Sequence, residues 1–217
     1  MVEREQIQIA LIGFGTAGTG LVQYFQSGRA RQHGFVLKKV AVSDLTKPRE
    51  IDFPDVTDRV EEILSDPEIS IVVELIGGEE PSRAYLLEAM QRGKSVVTAN
   101  KAVVSRHMRQ LFDTAKESQV DFAFEASVAA SIPLIRLLKG FRGESITRIS
   151  GILNGTSNYI LTQMGQGLDF ESALARAVEY GYAEADHILD TGGYDARDKL
   201  AIIASLVYDT EIKLEDI

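Results

Sequence analysis

A glycine-rich segment near the start of the chain has the spacing of a nucleotide-binding turn. Gly13, Gly15 and Gly18 follow the pattern Gly-x-Gly-x-x-Gly, directly after the apolar run Ile7–Ile12 and at the start of a helical pattern. The first glycine permits a tight turn, the second lets the backbone approach a pyrophosphate, and the third allows close packing of helix on strand. Amides at the helix N-terminus suit the phosphates. The segment predicts dinucleotide binding by Gly13, Phe14, Gly15, Thr16, Ala17 and Gly18.

The residues after the second predicted strand bear on which dinucleotide binds. Asp44 stands where an acidic side chain usually holds the adenosine ribose. Lys47 and Arg49 follow closely, and basic side chains at this place can bind the 2′-phosphate of NADP. Ordinary solvated loop charge explains the two basic residues equally well, so the sequence leaves NAD and NADP both open.

Two further segments come at the ends of predicted strands. Residues 74–78 end the third strand, and residues 98–101 end the fourth. The carboxyl ends of parallel strands are where open α/β sheets bind ligands. We therefore expect Ile76 and Gly77 to lie in the cofactor site, close to a nicotinamide ring, and Lys101 to place a cation in the same crevice.

Acidic residues and one lysine are concentrated in the last third of the chain, where Asp190, Asp195 and Lys199 follow the segment 181–186. Asp195 and Lys199 are four residues apart and share a helix face, so the pattern alone favours a surface ion pair worth about 0.3–0.5 kcal/mol. The alternative is that Lys199 donates and accepts a proton and is oriented by the carboxylates.

A predicted helix N-terminus lies upstream of that cluster. The segment 151–159 runs from a predicted strand into small and polar residues. The amides of Gly155 and Thr156 at this helix start are suited to binding a carboxylate.

Strands and helices alternate over the first part of the chain. We expect strands at 7–12, 36–42, 69–76, 95–98 and 121–124, and helices at 16–26, 56–64, 81–93 and 101–116. This alternation predicts a Rossmann-type, doubly wound parallel sheet in an NAD(P)-binding domain over residues 1–130.

The pattern changes after residue 125. A helix is predicted over 126–138, a strand over 145–153, a helix capped by Asp169, and a last helix over 195–208. This predicts a smaller α+β domain at residues 131–217, for substrate binding and oligomerisation. Because one strand cannot form a sheet, its partners are expected from a second subunit, from the first sheet, or from chain beyond Ile217. The second domain is therefore expected to be C-terminally incomplete.

Composition excludes several classes of function. The 217 residues carry a net charge of −9, which argues against a nucleic-acid partner. No apolar run approaches the ~20 residues of a membrane-spanning helix, and the first residues do not resemble a signal peptide. The chain has no cysteine and three histidines, which excludes thiolate chemistry and favours a cytoplasmic protein.

The motifs GFGTAG, ELIGG, VVTANKA, FEASVAASIPLI, GILNGTSNYIL, GYAEAD and GGYDARDKLAI, in this order, resemble the homoserine dehydrogenase family over about residues 7–205. The resemblance implies hydride transfer between NAD(P) and the terminal carbon of an amino acid. The reaction interconverts L-homoserine and L-aspartate 4-semialdehyde, in the route to threonine, methionine and isoleucine. The family resemblance also implies a homo-oligomer, with a dimer as the first expectation.

The resemblance also implies roles for individual residues. Lys199 matches the acid/base lysine, Lys101 matches a second active-site lysine, and Glu184 matches the glutamate that holds the substrate amino group. The residues expected to line the same pocket are Gly155, Thr156, Tyr182, Asp190 and Asp195. A sodium ion is expected at oxygens, mostly of the backbone, of Glu125, Val128, Ala130 and Ile132.

The chain departs from the family pattern in three respects. Ala130 and Ser131 replace two glycines of the cation loop, and His187 replaces a proline. Family members also continue beyond this length, which indicates either a fragment or a short natural member. Two other functions stay open besides that of a homoserine dehydrogenase. One is a dehydrogenase of the same build acting on another small amino acid, and the other is a non-catalytic or truncated NAD(P)-binding regulatory module.

Overall fold

The computed structural model describes residues 6–141, 143–183 and 186–217, which belong to two compact units, Met1–Ile132 and Pro133–Ile217. No helix among these described residues is both long and apolar enough to cross a lipid bilayer.

The first unit is built on a parallel sheet. Its described residues form six strands in the order β3-β2-β1-β4-β5-β6, and every pair of neighbours is parallel. The strands are β1 Ile7–Ile12, β2 Phe35–Ala41, β3 Val56–Thr57, β4 Ile69–Glu74, β5 Ser95–Thr98 and β6 Phe122–Ala123. The order reverses between β1 and β4, which places a topological switch point at their carboxyl ends. This is the predicted doubly wound architecture.

Helices connect the strands of the first unit. They are α1 Thr16–Gln26, α2 Arg29–Gln32, α3 Glu61–Leu64, α4 Ser82–Gln91, α5 Lys101–Ser118 and α6 Ala126–Ala129. Apolar faces at helical spacing bury them against the sheet: Leu86 and Met90 of α4 and Val104 and Leu111 of α5 are fully buried.

Two predicted helices of this region differ in the structure. Residues 56–64 form a short strand before α3, because Val56 pairs with Val40 and extends the sheet beyond β2. The helix predicted over 126–138 is divided, because Ala130 has a φ of 50° and Pro133, which has no amide hydrogen, precedes the next helix.

The described residues of the second unit form helices. They are α7 Leu134–Gly140, α8 Gly155–Gly165, α9 Phe170–Glu179, α10 Ile188–Thr191, α11 Tyr194–Val207 and a 3₁₀ helix at Leu214–Asp216. Helix α8 packs on α9 around Ile160, Leu174 and Ala177. The Asp169 side chain accepts a hydrogen bond from the Ser172 amide, as expected for an N-cap.

The strand predicted over 145–153 is not formed. These residues have no regular secondary structure, and the side chain of Ile152 is 73% exposed. The apolar residues of the segment favour a strand, but the described residues of this unit offer no strand with which the segment could pair. Sequence propensity alone cannot satisfy the backbone hydrogen bonds of a strand.

Candidate functional site

The glycine turn after β1 has the geometry of a pyrophosphate cradle. Gly13 has a φ of 108°, which favours glycine, and its amide donates to the Ala41 carbonyl at 2.9 Å. A methyl group at Gly18 would overlap the Gly13 carbonyl oxygen, so α1 packs directly on the turn. Gly15, the N-cap of α1, is exposed, and a methyl group there would contact nothing within 4 Å. The open space at Gly15 and the helix amides behind it fit a phosphate group.

The loop after β2 brings a guanidinium to this turn. Arg49 donates to the carbonyls of Asp44 and Lys47 at 2.7 and 2.9 Å, and its guanidinium carbon lies 5.5 Å from the centre of the Phe14 ring. Asp44 Oδ1 accepts from the hydroxyl and the amide of Thr46, which lower the pKa of Asp44. Asp44, predicted to bind ribose, is thus hydrogen-bonded within its own loop.

A buried carboxylate organises the ends of β4 and β5. Glu74 is fully buried, and its Oε1 accepts from the amide of Ile76 at 2.8 Å, with longer contacts to the Gly77 amide and the Ser82 hydroxyl. Its Oε2 accepts from the Thr98 hydroxyl at 2.6 Å. The carboxylate therefore holds the Ile76–Gly77 turn against the end of the next strand.

Asn100 continues this connection to Lys101. The Asn100 side chain donates to the Gly78 carbonyl at 2.6 Å and accepts from the Val103 amide as the N-cap of α5. The backbone N–H of Asn100 donates to the Thr98 hydroxyl. Lys101, the first residue of α5, follows directly and is partly buried. The predicted nicotinamide segments are thus joined by hydrogen bonds at the carboxyl edge of the sheet.

The predicted cation loop lies around α6. Val128 is buried, Ala130 is exposed with φ 50° and ψ −109°, and Ile132 is exposed. Among the described residues, no group of three or more histidines or acids could hold a metal ion. A cation here would therefore depend on backbone oxygens with Glu125, a donor set that suits a hard cation.

In the second unit, Lys199 and Asp195 form a largely buried ion pair. Lys199 Nζ donates to Asp195 Oδ2 at 2.7 Å and to the Leu153 carbonyl at 3.0 Å. Their side chains are only 20% and 8% exposed, respectively. The ion pair is thus not the solvated surface pair that the spacing alone favoured.

Asn154 joins this pair to Asp190. The Asn154 side-chain nitrogen donates to Asp190 Oδ1 at 2.7 Å and to Asp195 Oδ2 at 2.9 Å. Sequence reasoning missed both Asn154 and Glu74 as site residues. The preference for asparagine before a helix start could have revealed the cap of α8, but the partners of its amide come from distant parts of the chain.

Gly155 and Thr156 begin α8 directly after Asn154. The Thr156 hydroxyl donates to the Tyr182 carbonyl at 2.6 Å, and the rings of Tyr182 and Tyr159 lie with centroids 4.8 Å apart. The structure thus brings the predicted residues of the second unit to one helix end. Glu184 lies outside the described residues.

Comparisons with known proteins identify the family. A family model described as the NAD binding domain of homoserine dehydrogenase matches residues 13–125, and the homoserine dehydrogenase model matches residues 133–217. The chain belongs to the homoserine dehydrogenase family. The predicted resemblance and the predicted NAD(P)-binding fold are confirmed.

Curated homoserine dehydrogenases agree over nearly the whole chain. The relative from Synechocystis sp. is 43% identical over 97% of this chain and 50% of its own length. The relative from Bacillus subtilis is 41% identical over 97% of this chain and 51% of its own length. The chain spans about half the length of the curated relatives it matches.

Solved homoserine dehydrogenase structures share the fold. The Staphylococcus aureus enzyme at pH 7.5 is 38% identical with a TM-score of 0.81, over 98% of this chain and 54% of that one. A putative homoserine dehydrogenase from Archaeoglobus fulgidus is 30% identical with a TM-score of 0.81, over 97% of this chain and 71% of that one. A hyperthermophilic archaeal homoserine dehydrogenase in complex with NADPH is 25% identical with a TM-score of 0.81, over 95% of this chain and 71% of that one.

Proposed function

We propose that this protein interconverts L-homoserine and L-aspartate 4-semialdehyde with NAD(P). The observation that carries the proposal is the largely buried ion pair of Lys199 with Asp195, in the part of the chain that matches the homoserine dehydrogenase model. Residues 1–130 are the proposed nucleotide-binding domain, and residues 131–217 are the proposed substrate-binding and oligomerisation domain.

Lys199 is the proposed acid–base group. Two of the three N–H bonds of its ammonium are donated to Asp195 and to the Leu153 carbonyl, which leaves one for the substrate oxygen. In homoserine oxidation the neutral amine takes the hydroxyl proton. In the reverse direction the ammonium returns that proton as the carbonyl is reduced. Asp195 accepts a hydrogen bond from Lys199 Nζ and holds the amine in place.

Groups of the second part of the chain are proposed to bind the two charged groups of the substrate. Asp190 and Glu184 are the proposed partners of the substrate ammonium, since carboxylates recognise it by charge. The amides of Gly155 and Thr156 at the start of α8 are suited to the substrate carboxylate, and Tyr182 borders them through the Thr156 hydroxyl.

The glycine turn and the edge of the sheet are the proposed cofactor site. When bound, NAD(P) accepts or supplies the hydride. Residues 13–18 would hold the pyrophosphate, Ile76 and Gly77 would border the nicotinamide, and Lys101 would add a positive charge there. We propose NADP as the preferred form, because Arg49 lies against the glycine turn while the Asp44 carboxylate is hydrogen-bonded to Thr46.

A bound sodium ion and a dimeric state are two further proposals, both implied by the family resemblance. The loop 125–132 is the proposed site of a sodium ion, held by Glu125 and by backbone oxygens of Val128, Ala130 and Ile132. The protein is proposed to form a homodimer, and light scattering coupled to gel filtration would measure its mass in solution.

The test of the proposed function is an absorbance assay of NADP and NAD reduction with L-homoserine, alongside nucleotide binding by calorimetry. We expect homoserine-dependent reduction that is faster with NADP. Nucleotide binding without turnover would instead support a non-catalytic nucleotide-binding module. Turnover with another small amino acid, but not with homoserine, would support a related dehydrogenase.

A further inference from the structure

One buried amide links the proton-transfer pair of the second unit to a neighbouring carboxylate. Asn154 is 8% exposed, and its side-chain nitrogen lies between Asp190 Oδ1 and Asp195 Oδ2, at 2.7 and 2.9 Å. The amide group has two hydrogens, so each carboxylate receives one of them.

The orientation of this amide is fixed by a third contact. Asn154 Oδ1 accepts from the Ser157 amide at 2.7 Å, and a backbone N–H can only donate. The side-chain nitrogen must therefore face the carboxylates. The Ser157 hydroxyl also donates to the Asp190 carbonyl at 2.9 Å, which ties the backbone of Asp190 to the same helix start.

The position of the lysine depends on this arrangement. Asp195 Oδ2 accepts from both Asn154 and Lys199, so the bond from Asn154 helps to fix the oxygen that orients the lysine. Asp190 and Asp195 carry like charges, and the two N–H dipoles between them offset part of their repulsion.

We propose that Asn154 is a positioning residue that sets the distance between the proton-transfer pair and Asp190. The inference rests on the proposed function, since Lys199 is its acid–base group and Asp190 a partner of the substrate ammonium. Asn154 acts through these side chains and does not touch the reacting atoms. Its loss misplaces both the lysine and the ammonium site.

The side-chain chemistry of Asn154 allows its two tasks to be separated. Asn154→Asp keeps an oxygen that accepts from the Ser157 amide, and it replaces the donating nitrogen by an acceptor. Asn154→Ala removes both functions. Asp169→Ala is a matched control, because it removes the N-cap of α9 in the same unit without changing any contact of Asp190, Asp195 or Lys199.

The experiment measures kcat and KM for L-homoserine, the pH profile of kcat, L-homoserine binding by calorimetry, and thermal unfolding, all on the full chain. For Asn154→Asp we expect kcat to fall about 100-fold, as for a misplaced catalytic group. We also expect a higher KM and weaker binding. The pH profile should move to higher pH, because an added carboxylate favours the charged lysine. Thermal unfolding checks that both variants are folded before their kinetic constants are compared.

Other outcomes overturn the inference in distinguishable ways. Unchanged kcat and KM in Asn154→Asp would show that the amide donors position nothing. A loss of activity in Asp169→Ala as large as that in Asn154→Asp would reduce the role of Asn154 to helix capping. If the wild-type chain neither binds nor oxidises L-homoserine, the proposed function fails first, and the inference fails with it.

Discussion

Close packing between α1 and the glycine turn gives the sharpest test of the nucleotide-binding fold. In Gly18→Ala the new methyl group would overlap the Gly13 carbonyl oxygen and lie 3.1 Å from its carbonyl carbon and 3.5 Å from a Leu11 methyl group. Backbone atoms of the turn cannot give way as the end of a flexible side chain can. The turn or the helix must therefore shift.

The change in the free energy of unfolding can be worked out for Gly18→Ala and compared with that for Gly20→Ala, a matched variant in the same helix. Overpacking costs about 1–3 kcal/mol, and we take the upper end because backbone is displaced. Alanine regains about 1 kcal/mol of helix propensity, so Gly18→Ala should lower the free energy of unfolding by about 2 kcal/mol. Gly20 is exposed and a methyl group there contacts nothing within 4 Å, so Gly20→Ala should gain up to about 1 kcal/mol.

Urea unfolding and calorimetric NADPH binding would separate packing from cofactor contact. Gly15→Ala should stay as stable as the wild type, because its methyl group enters open space, yet should bind NADPH more weakly because that space is the proposed phosphate site. Gly18→Ala should lose both stability and binding. If it unfolds at the same urea concentration as Gly20→Ala and binds NADPH normally, close packing of α1 on the turn is not required.

Three further changes test other parts of the structure. Lys199→Ala should reduce kcat about 10²- to 10⁴-fold while NADPH affinity stays unchanged, and equal loss of calorimetric binding would contradict an acid–base role. Arg49→Ala should weaken the binding of NADPH about 10- to 100-fold but leave the binding of NADH unchanged, because a charge-assisted contact to the 2′-phosphate is lost. Equal effects on the binding of both nucleotides would argue against that contact. Ala130→Gly should stabilise the protein by about 1 kcal/mol in urea unfolding, because alanine is strained at a φ of 50°, and a loss of stability would show that the strain is offset.

Local sequence determined the elements whose interacting residues lie close together in the chain. The apolar run of β1, the three glycines of the turn and the start of α1 lie within a dozen residues, so their pattern alone predicts strand, turn and helix. The cap at Asp169 was equally predictable, because its partner lies three residues away. The lysines and acids of the candidate site could be named from the motifs, since the resemblance rests on residue types in a fixed order.

Tertiary structure decided which of these residues act together. The segment 145–153 has the residues of a strand but no strand partner among the described residues of its unit, and Val56 became a strand because β2 offered one. Asn154 meets Asp190 and Asp195 across about 40 residues of chain, and Lys199 reaches the Leu153 carbonyl across a similar span. Sequence patterns report interactions between near neighbours. Pairing of strands and burial of charge depend on partners that only the folded chain brings into contact.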